Sequence, residues 1–419
     1  MTRLGEVALE YRDASLGYDR PVVTGASLQV RAGEVAGLIG PNGAGKSTML
    51  RAVTGGARVI AGALEILGRS RSAYDPRSLA RVVAALPQNV SATFRFSARE
   101  FVEMGRHPHL GRFVDLSSGD AAVVDEAMER TDTARLAGEA VDTLSGGDLQ
   151  RLTLAQTLAQ QPRVLLLDEP TSHLDLNHRL QVLDLVRSLA DEGLAVLAVF
   201  HDLDMAARYS DTLAVVHDGS LGSCGTPAQV LTGPLLAEVF GVSAVIGTDA
   251  VTGSVSVTPV LRRGDMPEPR GVRVHVVGGS GSSARLLRRL VREGYEVTAG
   301  ALNAGDTDHE VAVALGLRFV PLPPFAPVDL HAEAEAAALA AVADVVVVSS
   351  TPFGTANLGN LRAAVRTGGR LILTGSLGPE RDFTRGEAAG LWDAAVVAGA
   401  VTAASEDDVM HAISEVSER

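Results

Sequence analysis

The sequence predicts an α/β protein of two units in series, the second a small doubly wound parallel sheet. Three observations predict it. Short apolar runs suited to buried strands end again and again in glycine-rich or acidic loops and are followed by helical stretches. Two of those loops, far apart in the chain, carry glycine patterns that open a helix. Between the two patterned regions, residues 263–271 are rich in Arg, Pro, Glu and Gly, the composition of a linker. The expected division is 1–262, a linker at 263–271, and 272–419, in keeping with a length of 419 residues.

Composition narrows the field. Hydrophobic residues make up 46% and charged residues 21%, the balance of a folded globular chain. The most apolar stretch, 336–348, is cut by Asp344, so no membrane span is expected. The first six residues have no apolar segment of the secretory kind. Cys224 stands alone, which excludes an internal disulfide and a cysteine-built zinc cluster. A net charge of -13 argues against a nucleic-acid partner.

Lys and Arg total 37, and only Lys46 is a lysine. Coding bias accounts for the arginines. It does not account for the one lysine retained, whereas a compact ammonium among phosphate oxygens does. Lys46 lies in Gly40-Pro41-Asn42-Gly43-Ala44-Gly45-Lys46-Ser47-Thr48, the G-x-x-x-x-G-K-[ST] phosphate loop. An apolar run at 35–39 precedes it and a helix opening follows, which is the context the pattern requires. The glycines let successive N–H groups turn toward phosphates. Lys46 is expected to reach the β- and γ-phosphates of a bound nucleotide and Ser47 to ligate Mg²⁺.

A second strand supplies acids. Val164-Leu165-Leu166-Leu167-Asp168-Glu169-Pro170 reads as a buried strand ending in two carboxylates. Asp168 is expected to hold Mg²⁺ and Glu169 to polarise the hydrolytic water.

Leu144-Ser145-Gly146-Gly147-Asp148-Leu149-Gln150-Arg151 resembles the signature motif of the ABC-transporter ATPases, and it sits between the phosphate loop and the acidic strand as in that family. Gln88 resembles the Q-loop glutamine, Ser172-His173-Leu174-Asp175 the D-loop, His201 the switch histidine, and Tyr18 the aromatic that stacks on adenine. The resemblance covers about the first 245 residues. It implies an ABC-type ATPase domain with a helical subdomain at about 90–145. It implies catalytic Glu169, His201 and Lys46, and nucleotide contacts from Tyr18, Gly40, Asn42, Gly43, Gly45, Lys46, Ser47, Thr48 and Gln88. Mg²⁺ contacts are implied for Ser47, Gln88 and Asp168. Ser145, Gly146, Gly147 and Asp175 would serve ATP across a dimer, since the signature comes from the opposite subunit in the family. With one phosphate loop and one signature in the chain, the expected partner is a second copy of itself.

The insertion at 97–140 carries Val102-Glu103-Met104-Gly105-Arg106-His107-Pro108-His109, similar to importers of iron-siderophores, haem and cobalamin. The resemblance implies two transmembrane permease subunits, an indirect link to a substrate-binding protein, and a peripheral place on the cytoplasmic face of the cell membrane. Other classes of ABC transporter, or a soluble non-transport ABC ATPase, are the alternatives. His107 and His109 read as packing or capping residues rather than metal ligands.

The expected second unit has strands at 272–277, 295–302, 344–348 and 370–374, with helices through 292 and at 310–315, 332–341 and 358–365. This alternation predicts a doubly wound, Rossmann-like sheet. Gly279-x-Gly281-x-x-Ala284 fits the loose dinucleotide fingerprint, yet Asn303 stands about where the ribose-binding acid belongs, with Asp306 beyond it. A nucleotide or another small ligand is the expectation here, with a crevice at 349–354; a docking role and an active enzyme are the alternatives. The sequence also resembles similarly extended ATPases of cobalamin importers.

Overall fold

The computed structural model describes residues 4–86, 96–111, 114–170, 175–249, 251–262, 269–367 and 370–417. It divides into two compact units, Met1–Leu235 with Ile246–Val257, and Leu236–Val245 with Thr258–Arg419.

The first unit is built on one long sheet. Its parallel part runs Thr212–His217, Val35–Ile39, Ala195–Val199, Val164–Asp168, Val83–Leu86. Val35–Ile39 and Ala195–Val199 are buried along their whole length. Such uniformly apolar strands belong in a sheet covered on both faces. Beyond this part lie the long antiparallel strands Val7–Gly17, Pro21–Arg31 and Arg58–Ile66. In Pro21–Arg31 the burial alternates, with Ala26, Leu28 and Val30 inward and Arg31 outward, as one covered face requires. Tyr11 is fully buried and its hydroxyl donates to the Met49 carbonyl at 3.0 Å, tying this sheet to the helix Lys46–Thr54.

The helical insertion holds the helices Ala98–Glu103 and Ser118–Arg130, which pack against the helix Gly146–Ala159. Ser97 and Ser117 start the first two with reciprocal capping boxes. Val102, Val124, Met128, Leu152 and Ala155 form its core. Gly105 packs so closely that a Cβ there would lie 2.2 Å from the Gln156 carbonyl oxygen. Buried Arg106 donates to Asp120 at 2.9 Å and to the Ala159 carbonyl at 2.7 Å. His109 Nε2 meets the Gln160 carbonyl at 2.8 Å. The segment that resembles metal-chelate importers therefore pins the insertion together.

The second unit is a six-stranded parallel sheet with helices between successive strands. In chain order the strands are Arg273–Val277, Glu296–Asn303, Arg318–Leu322, Val345–Val348, Arg370–Thr374 and Val401–Ala403. Their spatial order is 3-2-1-4-5-6, the doubly wound order of dinucleotide-binding folds. Leu287, Leu290, Val311 and Ile413 fill one face, and Leu361, Ala388 and Trp392 the other. The expected strands lie within a residue or two of those observed. The structure adds Arg318–Leu322, the helix Glu387–Val397, the strand Val401–Ala403 and the helix Glu406–Ser417. A separate two-stranded sheet joins Val242–Thr248 and Val255–Arg262. Residues 263–268 of the expected linker lie outside the described residues.

Candidate active site

Three neighbouring strands of the first unit, Val35–Ile39, Ala195–Val199 and Val164–Asp168, end side by side. The phosphate loop follows the first, His201 the second, and Asp168-Glu169 closes the third. With neighbouring strands about 4.8 Å apart, the sheet register alone gathers these side chains into one small region. Val83–Leu86, the next strand, leads to Gln88, which lies outside the described residues.

The loop from Gly40 to Gly45 has the backbone its glycines predict. Gly40 has φ 145°, and a Cβ there would sit 2.0 Å from the Val216 carbonyl oxygen. Gly43 has φ 81° with nothing within 4 Å of a Cβ position, so that side of the loop is open. Among the described residues, no hydrogen bond engages the amides of Gly43, Gly45, Lys46 or Ser47. Four N–H groups at the start of the helix Lys46–Thr54 are thus free to receive an anion. Lys46 is buried, and its ammonium donates to the carbonyls of Gly40 at 2.7 Å and Pro41 at 2.9 Å. Burial pushes its pKa below the usual lysine value, and the charges of Glu169 and Asp168 oppose that shift.

Ser47 Oγ donates to Asp168 Oδ1 at 3.1 Å. A hydroxyl and a carboxylate oxygen side by side are hard donors of the kind Mg²⁺ takes, so these residues fit that ion. Glu169 has a left-handed backbone, φ 54°, which is uncommon for a long side chain, and its carboxylate contacts His201 Nε2. Tyr18 is exposed at the rim, its hydroxyl accepting from Arg51 Nη1 at 3.2 Å. Arg51 was not singled out from the sequence; its place one turn after Lys46 on the same helix is the signal that points to it.

Ser145 caps the helix Gly146–Ala159 through the Asp148 amide. No hydrogen bond among the described residues joins Ser145, Gly146 or Gly147 to the phosphate loop. Gln150 of the same helix donates to the Pro170 carbonyl at 3.2 Å, directly after Glu169. Ser172, His173 and Leu174 lie outside the described residues, while Asp175 caps the helix Leu176–Asp191 and accepts from His178 Nδ1 at 2.8 Å. The His178 ring lies 3.1 Å from a Cβ position on Gly147, a contact the sequence reading did not anticipate.

The glycine loop of the second unit is engaged by its own chain. Its amides already donate to Asp306 and Asp308, and the Asn303 side chain donates to the carbonyls of Pro323 and Ala326.

The chain is similar to several known proteins. The profile of a family described as ABC transporter matches residues 23–172, and that of the MJ0874 family matches 297–410. The cobalamin import ATP-binding protein BtuD of Halobacterium salinarum is 44% identical over 350 residues, covering 83% of this chain and 84% of its own length. The chain belongs to the ABC transporter ATP-binding family. It is therefore an ATPase. The hemin import ATP-binding protein HmuV of Streptomyces coelicolor is 43% identical over 240 residues, 57% of this chain and 85% of its own. Among solved structures, an inward-facing metal-chelate type ABC transporter matches with TM-score 0.54 and 25% identity, over 61% of this chain and 98% of that one. Among the described residues no helix is long and apolar enough to cross a membrane.

Proposed function

We propose that this chain is the ATP-hydrolysing subunit of an importer of a metal chelate, with cobalamin the first candidate and haem or a ferric siderophore the next. The observation that carries the ATPase part is the open amide loop with Lys46, flanked by Ser47–Asp168 and Glu169–His201. Support for cobalamin comes from the Halobacterium salinarum relative, whose 350-residue match is too long to fit within the first 262 residues and so includes part of the second unit. The chain works as a pair of copies beneath two transmembrane permease subunits, on the cytoplasmic face of the cell membrane, fed indirectly by a substrate-binding protein. The division at 1–262, 263–271 and 272–419 belongs to the same reading.

Each residue has a task in it. Tyr18 stacks on adenine. The amides of Gly43 to Ser47, with Gly40, Asn42 and Thr48 shaping the loop, cradle the phosphates. Lys46 exchanges two carbonyls for β- and γ-phosphate oxygens. Ser47 and Asp168, with Gln88, hold Mg²⁺, which when bound neutralises phosphate charge. Glu169 accepts the proton of the attacking water, and His201 orients that carboxylate. Ser145, Gly146 and Gly147 of the second copy face the γ-phosphate with a helix N-terminus, and Asp175 shapes the edge between copies. The second unit takes a small ligand at its crest.

The test is Glu169→Gln with ATP and Mg²⁺. Loss of a positioned proton acceptor lowers hydrolysis at least about 100-fold while ATP still binds, and light scattering then finds a dimer. Turnover within about threefold of the parent, or a monomer, refutes the ATPase assignment of these residues. In vesicles with the permease, cobalamin, haem and a ferric siderophore are compared for stimulation of hydrolysis.

A further inference from the structure

The 3-2-1-4-5-6 order places a binding crevice between the first and fourth strands of the second unit, with a diphosphate expected on the glycine loop after the first. That loop can be compared with the phosphate loop of the first unit, because both follow a buried strand and open a helix. In the first, the amides of Gly43, Gly45, Lys46 and Ser47 engage nothing among the described residues. In the second, every amide from Gly279 to Ser283 is taken. Gly279 N–H donates to Asp308 Oδ2 at 2.7 Å. Ser280 and Gly281 donate to Asp306 at 2.5 and 3.1 Å. Ser282 N–H donates to the Gly279 carbonyl at 3.2 Å, and Ser283 N–H to both oxygens of Asp308 at 3.1 and 3.2 Å. Asp308 is fully buried.

The glycines fit this internal arrangement. A Cβ on Gly278 would lie 2.0 Å from Ser283 Oγ and 2.9 Å from Asp308 Oδ2, so Gly278 makes room for the carboxylate itself. The crevice is also bridged. Ser282 Oγ meets Ser349 Oγ at 2.8 Å and Thr351 Oγ1 at 2.5 Å, joining the loops after the first and fourth strands. Ser349 and Thr351 are buried. Arg381 spans the next loops, donating to the carbonyls of Ser349, Thr351, Thr374 and Ser376. A diphosphate would have to displace two carboxylates from their donors or sit against their negative charge.

We propose that Asp306 and Asp308 stand in place of the phosphates, so that the second unit refuses dinucleotides and any ligand presenting a phosphate to this loop. The fold keeps the shape of a cofactor site and fills it from its own chain. A ligand of this unit is one without a phosphate at the loop. The inference is independent of the transport reading, since it concerns only the second unit.

The test uses the full chain with its ATPase site held by a non-hydrolysable ATP analogue. NADH and NADPH are titrated by their fluorescence, and amide hydrogen exchange is followed through 279–283. The parent binds neither nucleotide at concentrations up to about 1 mM, and the loop amides exchange slowly with no change on adding them. In Asp306→Ala/Asp308→Asn, the freed loop gains NADH affinity at least about tenfold over the parent, or its amides exchange faster with the rest of the unit still protected. Parent binding of either nucleotide with Kd below about 100 μM, accompanied by protection of 279–283, overturns the proposal. So does a variant that gains no NADH affinity and whose loop amides exchange as slowly as the parent's.

Discussion

His275 gives the second unit a calculable dependence on pH. It lies in the middle strand Arg273–Val277, fully buried, with Nδ1 2.9 Å from Thr298 Oγ1 and Nε2 without a partner among the described residues. Burial pushes its pKa from 6.5 down to about 4. The folded value lies below the unfolded one, so folding favours the neutral ring. Its stabilising term is whole above the unfolded pKa and drains away as the pH falls toward the folded one. The full difference corresponds to about 3 kcal/mol, of which about 2 kcal/mol is lost by pH 5. For a unit of this size, that lowers the melting temperature by about 4–8 °C. The only tryptophan, Trp392, is buried in this same unit, so its fluorescence reports this unfolding selectively. Melting is compared at pH 8 and pH 5 for the parent and for His275→Leu/Thr298→Val, which removes the ring and its hydroxyl partner together. The parent should lose more than the variant by that margin. Equal losses in the two chains would refute the reasoning.

Two further outcomes are expected. Lys46→Arg keeps the charge but places a planar guanidinium where an ammonium lies between the carbonyls of Gly40 and Pro41, and ATP hydrolysis should fall at least about 100-fold; near-normal turnover would remove the reason for the lone lysine. Gly105→Ala drives a methyl into the Gln156 carbonyl and should cost about 1–3 kcal/mol, read as a lower denaturant midpoint, whereas an unchanged midpoint would show that the insertion is loosely packed there.

The parallel strands were legible because each is a short apolar run ending in a loop with special residues. Val164–Asp168 and Val35–Ile39 announce themselves in this way. The antiparallel strands Val7–Gly17 and Pro21–Arg31 did not, since Pro21–Arg31 turns every second residue outward and the register shifts of Val7–Gly17 break its alternation. Arg318–Leu322 carries Pro321 and lies at a sheet edge, where the strand pattern is weak. Lys46, Ser47, Asp168 and Glu169 could be named from motif spacing, because chemistry fixes their order. The contacts of His178 with Gly147 and of Asp308 with Gly279 could not, since each joins segments about 30 residues apart through side-chain geometry alone. The glycine pattern of the second unit predicted the loop's shape but not the partners of its amides, for a backbone that curls around an anion does not specify whose anion it is.

The bond from Gln150 to the Pro170 carbonyl has a mechanical reach beyond its size. In the proposed pair, Pro170 would follow the carboxylate that works on a copy's own ATP, while Gln150 would ride the helix whose tip faces the neighbour's. Any shift of the acidic strand after cleavage would then be felt by the helix that faces the other nucleotide. Two such copies would keep time with each other, each reporting its spent fuel through the hold it has on its twin.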